Sequence, residues 1–196
     1  MNLELFKDLR LYWAYGSNMA PSSLTEKGLK LRVVGIGYLD HHRLMFNKIS
    51  KADPSVGFAN VVPFWGKRVY GTIYDMANEK EGTQRYMPKA TDAERLNALG
   101  VIQENLTILD KKEGYPHHYQ RTGVSILKAD VDQRFNCFTY IATPEMTSAS
   151  GNLMVTDKYI GKISEGLGVS GLTEHSEETR GYVMETMETM KIWRQQ

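Results

Sequence analysis

The sequence predicts an α+β domain, a small mixed β-barrel or sheet flanked by helices. Three observations predict it. Runs rich in Val, Ile, Tyr and Phe fill residues 31–76 and return at 119–142. One long helical pattern, Thr91 to Glu113, separates these β-rich blocks. Helical spacing then takes over toward the C-terminus. The 196 residues can bury a core without disulfide or metal staples, and no repeat or low-complexity linker divides them, so 1–196 is read as a single domain.

The elements follow in order. "LYWAY" (11–15) reads as a strand that stops at Gly16, Ser17 and Asn18. "SLTE" (23–26) has capping-box spacing for a short helix, with Gly28 as its stop. Strands are expected at "LRVVGIGYL" (31–39), "RLMFNKI" (43–49), "GFANVVPF" (57–64) and "RVYGTIYDM" (68–76). The helix that follows has a candidate cap at Thr91 or Asp92 and ends at Gly114. Two more strands are expected at "YQRTGVSIL" (119–127) and "FNCFTYIA" (135–142). Ile160, Ile163 and Leu167 then repeat at helical spacing, as do Val183, Met187 and Met190 with Trp193 next in line. That last, methionine-rich helix can pack internally or across a homodimer, and spacing leaves both open.

Charge and cysteine content exclude several classes. With 24 basic and 23 acidic side chains, net charge is +1, so no general attraction to nucleic acid or anionic membrane is expected. The N-terminus shows no apolar signal core and no run approaches membrane-span length, which together point to a cytoplasmic protein. Cys137 is alone, in a strand-like setting, so neither an internal disulfide nor a cysteine-built zinc site is expected. His41 with His42, and His117 with His118, are adjacent pairs that point to opposite faces of a strand, so neither is a ready chelate. No metal and no cofactor are expected.

The most informative single residue is Glu113. Ile102, Leu106 and Leu109 fall on one helix face, and Glu113 continues that face because eleven residues span about three turns. Lys111 and Lys112 fall elsewhere. An inward carboxylate at a helix C-terminus would have its pKa raised by burial and by the helix dipole, and would suit proton transfer near neutral pH. The alternative is a rim position with the side chain in water. Gly16 and Ser17 pose a similar choice. A strand–loop–helix junction can aim backbone N–H groups at an anion, or it can be an ordinary turn capped by Asn or Ser. No G-x-G-x-x-G pattern or P-loop lysine is present, which argues against a nucleotide site.

"YWAYGSNM", "GFANVVP", "RVYGTIYDM" and "LDKKEGYPHHYQR" occur in this order, and "DKYIGKISEGLGVSGL" follows. Together, over roughly residues 11–175, they resemble the γ-glutamylcyclotransferases and the wider group named after them. The resemblance implies a small mixed barrel with helices around it. Leu109, Asp110, Glu113 and Gly114 match the family's Leu-Asp-x-x-Glu-Gly motif, which implies that Glu113 is the catalytic acid/base. The Tyr-Gly-Ser-Asn loop implies substrate binding by the stretch Tyr12, Trp13, Ala14, Tyr15, Gly16 and Ser17, with Asn18 shaping the turn. Tyr159 matches a pocket tyrosine of the closing region, and Tyr119 and Tyr140 match further pocket walls. The form Tyr-Gly-Ser-Asn points to the cyclotransferase branch. One departure is extra polar sequence at roughly 78–102, read as a tolerated insertion.

The implied reaction fits these parts. A γ-glutamyl amide carries its own nucleophile, the α-amine, within ring-closing reach of the γ-carbonyl. Cyclisation yields 5-oxoproline and a free amine, so the protein must supply proton transfer and positioning but no nucleophile or metal. The expected partner is therefore a small γ-glutamyl compound. A non-catalytic small-molecule-binding module with the same fold is the second reading.

Overall fold

Alternation along β1 (Leu11–Ala14) sets its two faces against two different apolar clusters. Trp13 joins a set drawn from all five strands, including Phe46, Ile73, Ile126 and Cys137, as the interior of a closed barrel requires. Tyr12 and Ala14 face the other way, toward a layer with Tyr74, Leu106, Leu109 and Phe138. The computed structural model describes residues 9–78, 91–129, 131, 133–169, 181–182 and 184–189.

The four strands expected between 31 and 76 are two. β2 (Arg32–Ile49) and β3 (Gly57–Asp75) form one long antiparallel hairpin. The interruption between 39 and 43 is a bulge, with His41 at φ 56. Pairing jumps there from Asp40↔Arg68 to His42↔Pro63, so residues 64–67 loop out opposite a single residue. A bulge bends its strand and increases local twist, which suits a hairpin that must curl. β4 (Tyr119–Lys128) and β5 (Arg134–Ala142) complete a closed barrel in the order β1-β3-β2-β4-β5. A parallel pairing at Tyr12↔Phe138 closes it, and the other pairings are antiparallel.

Among the described residues, three α-helices with defined ends lie against the barrel. α1 (Pro21–Thr25) is one short segment. α2 (Asp92–Glu113) starts at Thr91, whose side chain accepts from the Glu94 N–H while the Glu94 carboxylate accepts from the Thr91 N–H. It stops at Gly114, which is left-handed at φ 68, a conformation that costs any other residue type. Residues 92–102 of the expected insertion thus belong to α2, with Thr91 as its cap, and 79–90 lie outside the described residues. α3 (Asp157–Val169) buries Ile163 and Leu167 in the barrel cluster, as their spacing predicts. Residues 181–182 and 184–189 are helical, with Met187 packed against the same cluster; Met190 and Trp193 lie outside the described residues. No described helix is long and apolar enough to cross a membrane.

Candidate active site

Where β1 runs out, the chain makes a single 3-10 turn (Ser17–Met19), closed by the Met19 N–H donating to the Gly16 carbonyl at 2.9 Å. This turn forms one wall of a pocket of about 320 Å³. Gly16 suits a close approach: a Cβ there would lie a tight 3.1 Å from the Ala59 Cβ and 3.3 Å from the Tyr159 Oη, so a neighbour would have to give by a few tenths of an ångström. Glycine and alanine let β3 and the loop pass close enough to leave the pocket narrow.

The four residues of the Leu-Asp-x-x-Glu-Gly stretch act together. Leu109 is fully buried under α2. The Asp110 carboxylate accepts from the Tyr140 hydroxyl at 2.7 Å and lies 3.4 Å from the Arg121 guanidinium, which ties the last turn of α2 to β4 and β5. Gly114 ends the helix. Glu113 is thereby aimed into the pocket rather than into water, with its side chain 18 % exposed. Lys111 and Lys112 are exposed, as the periodicity predicts.

Around Glu113 the setting is polar, unlike the apolar one that helical spacing suggested. The Asn18 amide nitrogen donates to Glu113 Oε1 at 3.0 Å and to the Tyr12 hydroxyl at 2.9 Å. Lys27 donates to the Asn18 amide oxygen, and its ammonium lies 3.7 Å from Glu113 Oε1. Asn18 therefore spends both amide hydrogens and its oxygen in holding one carboxylate, one phenol and one ammonium in register. Burial lowers the Lys27 pKa, and Glu113 opposes that shift.

Phenols line the rest. Tyr15 donates to the Tyr140 carbonyl at 2.5 Å and Tyr119 to the Ala59 carbonyl at 2.9 Å. The Tyr159 oxygen accepts from the Ala59 N–H at 3.2 Å. Burial pushes the Tyr12, Tyr15 and Tyr119 hydroxyls far above the ordinary value of 10.0 and Tyr159 up to about 12. These groups stay neutral in the native protein at any physiological pH. The unfolded chain ionises them near 10, so the stability they contribute is complete below that pH and is lost as pH rises above it. The melting temperature is therefore expected to fall steeply from about pH 10, by up to ~1.4 kcal/mol per pH unit for each such phenol. Thermal melts from about pH 8 to about pH 11 check this; ordinary tyrosine ionisation in the folded state, with no loss of melting temperature, contradicts it.

Of the residues nominated from sequence, Tyr12, Tyr15, Gly16, Ser17, Asn18, Glu113, Tyr119, Tyr140 and Tyr159 come together on this pocket. Trp13 and Ala14 do not line it. Trp13 is buried in the barrel, its indole N–H donating to the Gly37 carbonyl at 3.2 Å, and Ala14 packs in the α2 layer. Lys27, Ala59 and Thr139 were missed. Ala59 lies inside the quoted "GFANVVP" and its small size was the only available signal. Lys27 had none, because its approach to Asn18 depends on the reversal after α1. The histidines have non-metal neighbours: His41 stacks on Trp65 at 3.9 Å and His118 Nδ1 lies 3.3 Å from the Lys48 ammonium. Burial pushes the Cys137 thiol up to about 12, in keeping with a structural cysteine.

No family model matches the sequence, and no curated protein matches it in sequence. Solved structures do match in shape. An uncharacterized protein from Homo sapiens superposes with a TM-score of 0.61 at 18% identity, over 89% of this chain and 98% of that one. A γ-glutamyl cyclotransferase superposes with a TM-score of 0.59 at 18% identity, over 90% of this chain and 98% of that one. YkqA from Bacillus subtilis gives 0.64 at 17% identity over 91% of this chain, which spans only 54% of YkqA. With its five-stranded barrel closed through β1 and its flanking helices, the chain has the γ-glutamylcyclotransferase-like fold.

Proposed function

We propose that the protein converts a γ-glutamyl amide into 5-oxoproline and a free amine, with Glu113 as the general acid/base. The observation that carries this reading is the Glu113 carboxylate, held by Asn18 and Lys27 at the wall of a pocket that the Gly16–Ser17 turn closes on another side. The carboxylate removes a proton from the substrate α-ammonium. The freed amine attacks the γ-carbonyl carbon, a C–N bond forms, and a five-membered ring closes. The same carboxyl group then returns the proton to the amide nitrogen as the original C–N bond breaks; the ring nitrogen sheds its second proton, which ends on the released amine as its ammonium, so no net proton is consumed. The backbone amides of Gly16 and Ser17 are assigned to the substrate α-carboxylate, and the neutral phenols of Tyr15, Tyr119 and Tyr159 exclude water from the folded chain of the substrate.

Incubation of the purified protein with γ-glutamyl-alanine, following 5-oxoproline, tests the reading. Release of 5-oxoproline is expected. Thermal stabilisation by γ-glutamyl compounds without turnover of any of them would instead make the protein a binding module. Asn18→Ala is expected to lower kcat and to cost ~1–3 kcal/mol of stability, because it strips a partner from Glu113, Tyr12 and Lys27 together. A melt and a turnover assay on that variant measure both effects; wild-type values for both would remove Asn18 from the role of organiser.

A further inference from the structure

The pocket opens into a second, larger basin of about 1010 Å³, with Ser17, Glu113, Tyr119 and Tyr159 serving as walls of both. The basin's remaining walls are unusual in charge. Lys27, Lys48, Lys51, Lys111, Lys112 and His118 surround it, and Glu113 is its one acidic lining residue among the described residues. In a chain whose net charge is only +1, five ammonium groups around one opening form a local positive field.

Lys48 is the informative member. It is 5 % exposed, although lysine is almost never buried without a counter-charge. Its ammonium lies 5.3 Å from the ring centres of both Phe58 and Tyr119 and 3.3 Å from His118 Nδ1, and among the described residues no carboxylate lies within ion-pair distance. Desolvation lowers its pKa, which is the sign of a cation held at a cost to the fold. His118 is lowered too, by desolvation first and then by Lys48 and Lys51, so its ring is predominantly neutral near pH 7. Lys51, Lys111 and Lys112 are exposed, and among the described residues none of them forms an ion pair with a carboxylate.

We infer that this basin receives the leaving-amine portion of the substrate and selects γ-glutamyl amides in which that portion carries two or more negative charges. The inference rests on the reading above: if the glutamyl end fills the inner pocket, the scissile nitrogen lies at Glu113, the shared wall, and the rest of the substrate must extend into the basin. Glu113 acts on Lys48 only at a distance and does not offset its desolvation, and a second acidic amino acid on the leaving side, or a phosphate, supplies a counter-charge within contact. Cationic leaving groups such as polyamines are repelled by the same ring of lysines.

Two measurements test this. Calorimetric binding to the Glu113→Gln variant, in which turnover cannot interfere, compares γ-glutamyl-glutamate, γ-glutamyl-O-phosphoethanolamine and the neutral-ended γ-glutamyl-alaninamide. Wild-type kcat/KM is measured for the same three. Binding of at least one dianionic compound about tenfold tighter than the neutral one is expected, with the advantage shrinking as salt is raised. Equal gains from glutamate and phosphate indicate charge alone; a gain from one of them identifies which anion the basin fits. Adding Lys48→Met, or the surface triple substitution Lys51→Gln, Lys111→Gln and Lys112→Gln, should remove most of that advantage, read within each variant as the ratio of dianion to neutral affinity. The triple substitution keeps the test valid should Lys48→Met fail to fold. Equal affinities for all three compounds overturn the inference, as does a preference that survives both lysine variants. Turnover of the three compounds without discrimination leaves the cyclotransferase reading standing and removes this one. A dianion preference in binding with no turnover of any compound removes the cyclotransferase reading and leaves only a basin selective for anionic γ-glutamyl ligands, and no binding of any compound removes both.

Discussion

Glu113→Gln is expected to lower kcat for 5-oxoproline release by about 10²–10⁴-fold, the range that a positioned acid/base contributes. The substitution is nearly isosteric. A glutamine carbonyl can still accept from the Asn18 amide, so the pocket keeps its shape and the melting temperature should move little. What disappears is the ability to take a proton from the ammonium and return it to the amide nitrogen. Because the substitution leaves the Gly16–Ser17 turn, the proposed carboxylate cradle, untouched, the loss should appear in kcat far more than in KM. Steady-state kinetics with γ-glutamyl-alanine, beside a melt of the variant, separates chemistry from folding. Undiminished turnover by a folded Glu113→Gln protein would falsify the assignment of Glu113.

Asp75→Ala is expected to cost ~3–5 kcal/mol of stability, lowering the melting temperature by on the order of 10 °C. Asp75 is fully buried at the end of β3, opposite Leu11 of β1 and Arg32 of β2. Its carboxylate lies 3.4 Å from the Arg10 and 3.5 Å from the Arg32 guanidinium groups and accepts from the Ala77 N–H at 3.0 Å. Removing it leaves two largely buried cations facing each other without the anion between them, and leaves a backbone donor unpaired. Asp75→Asn should fall between wild type and Asp75→Ala, since an amide oxygen can still accept from Ala77. Chemical unfolding of the three proteins ranks them; equal stability for all three would show that the cluster is neutral. Activity per folded molecule should be preserved, because Asp75 is not among the residues that line the pocket.

How much of this was legible in the sequence differs element by element. α2 was read with its true ends because its signals are local: a capping box spans Thr91 to Glu94, and a left-handed glycine stops the last turn. Helical geometry alone puts Glu113 in line with the buried face but leaves a rim position in water open. The β2–β3 hairpin was misdivided, because "HH" and "FWGK" look like turns while the structure absorbs them as a bulge inside continuous pairing. The nominated tyrosines share one pocket, whereas Trp13 and Ala14 follow from a contiguous motif that strand geometry splits between two faces. Neighbours in a strand point to opposite faces, and a motif of consecutive residues does not say which face is functional.

By itself the sequence determined the class of fold, the long helix with a carboxylate in line with its apolar face, and the tight turn after the first strand. Each of these depends on residues within a few turns of one another, where propensity, capping and periodicity act. Only the tertiary structure decided that Lys27 and Asn18 hold Glu113, that Asp110 anchors the helix end through Tyr140 and Arg121, and that Lys48 is buried beside Tyr119. Those contacts join residues separated along the chain and brought together by barrel closure. Distant pairs of this kind leave no periodic trace, because long-range electrostatics and packing depend on where the strands finally meet.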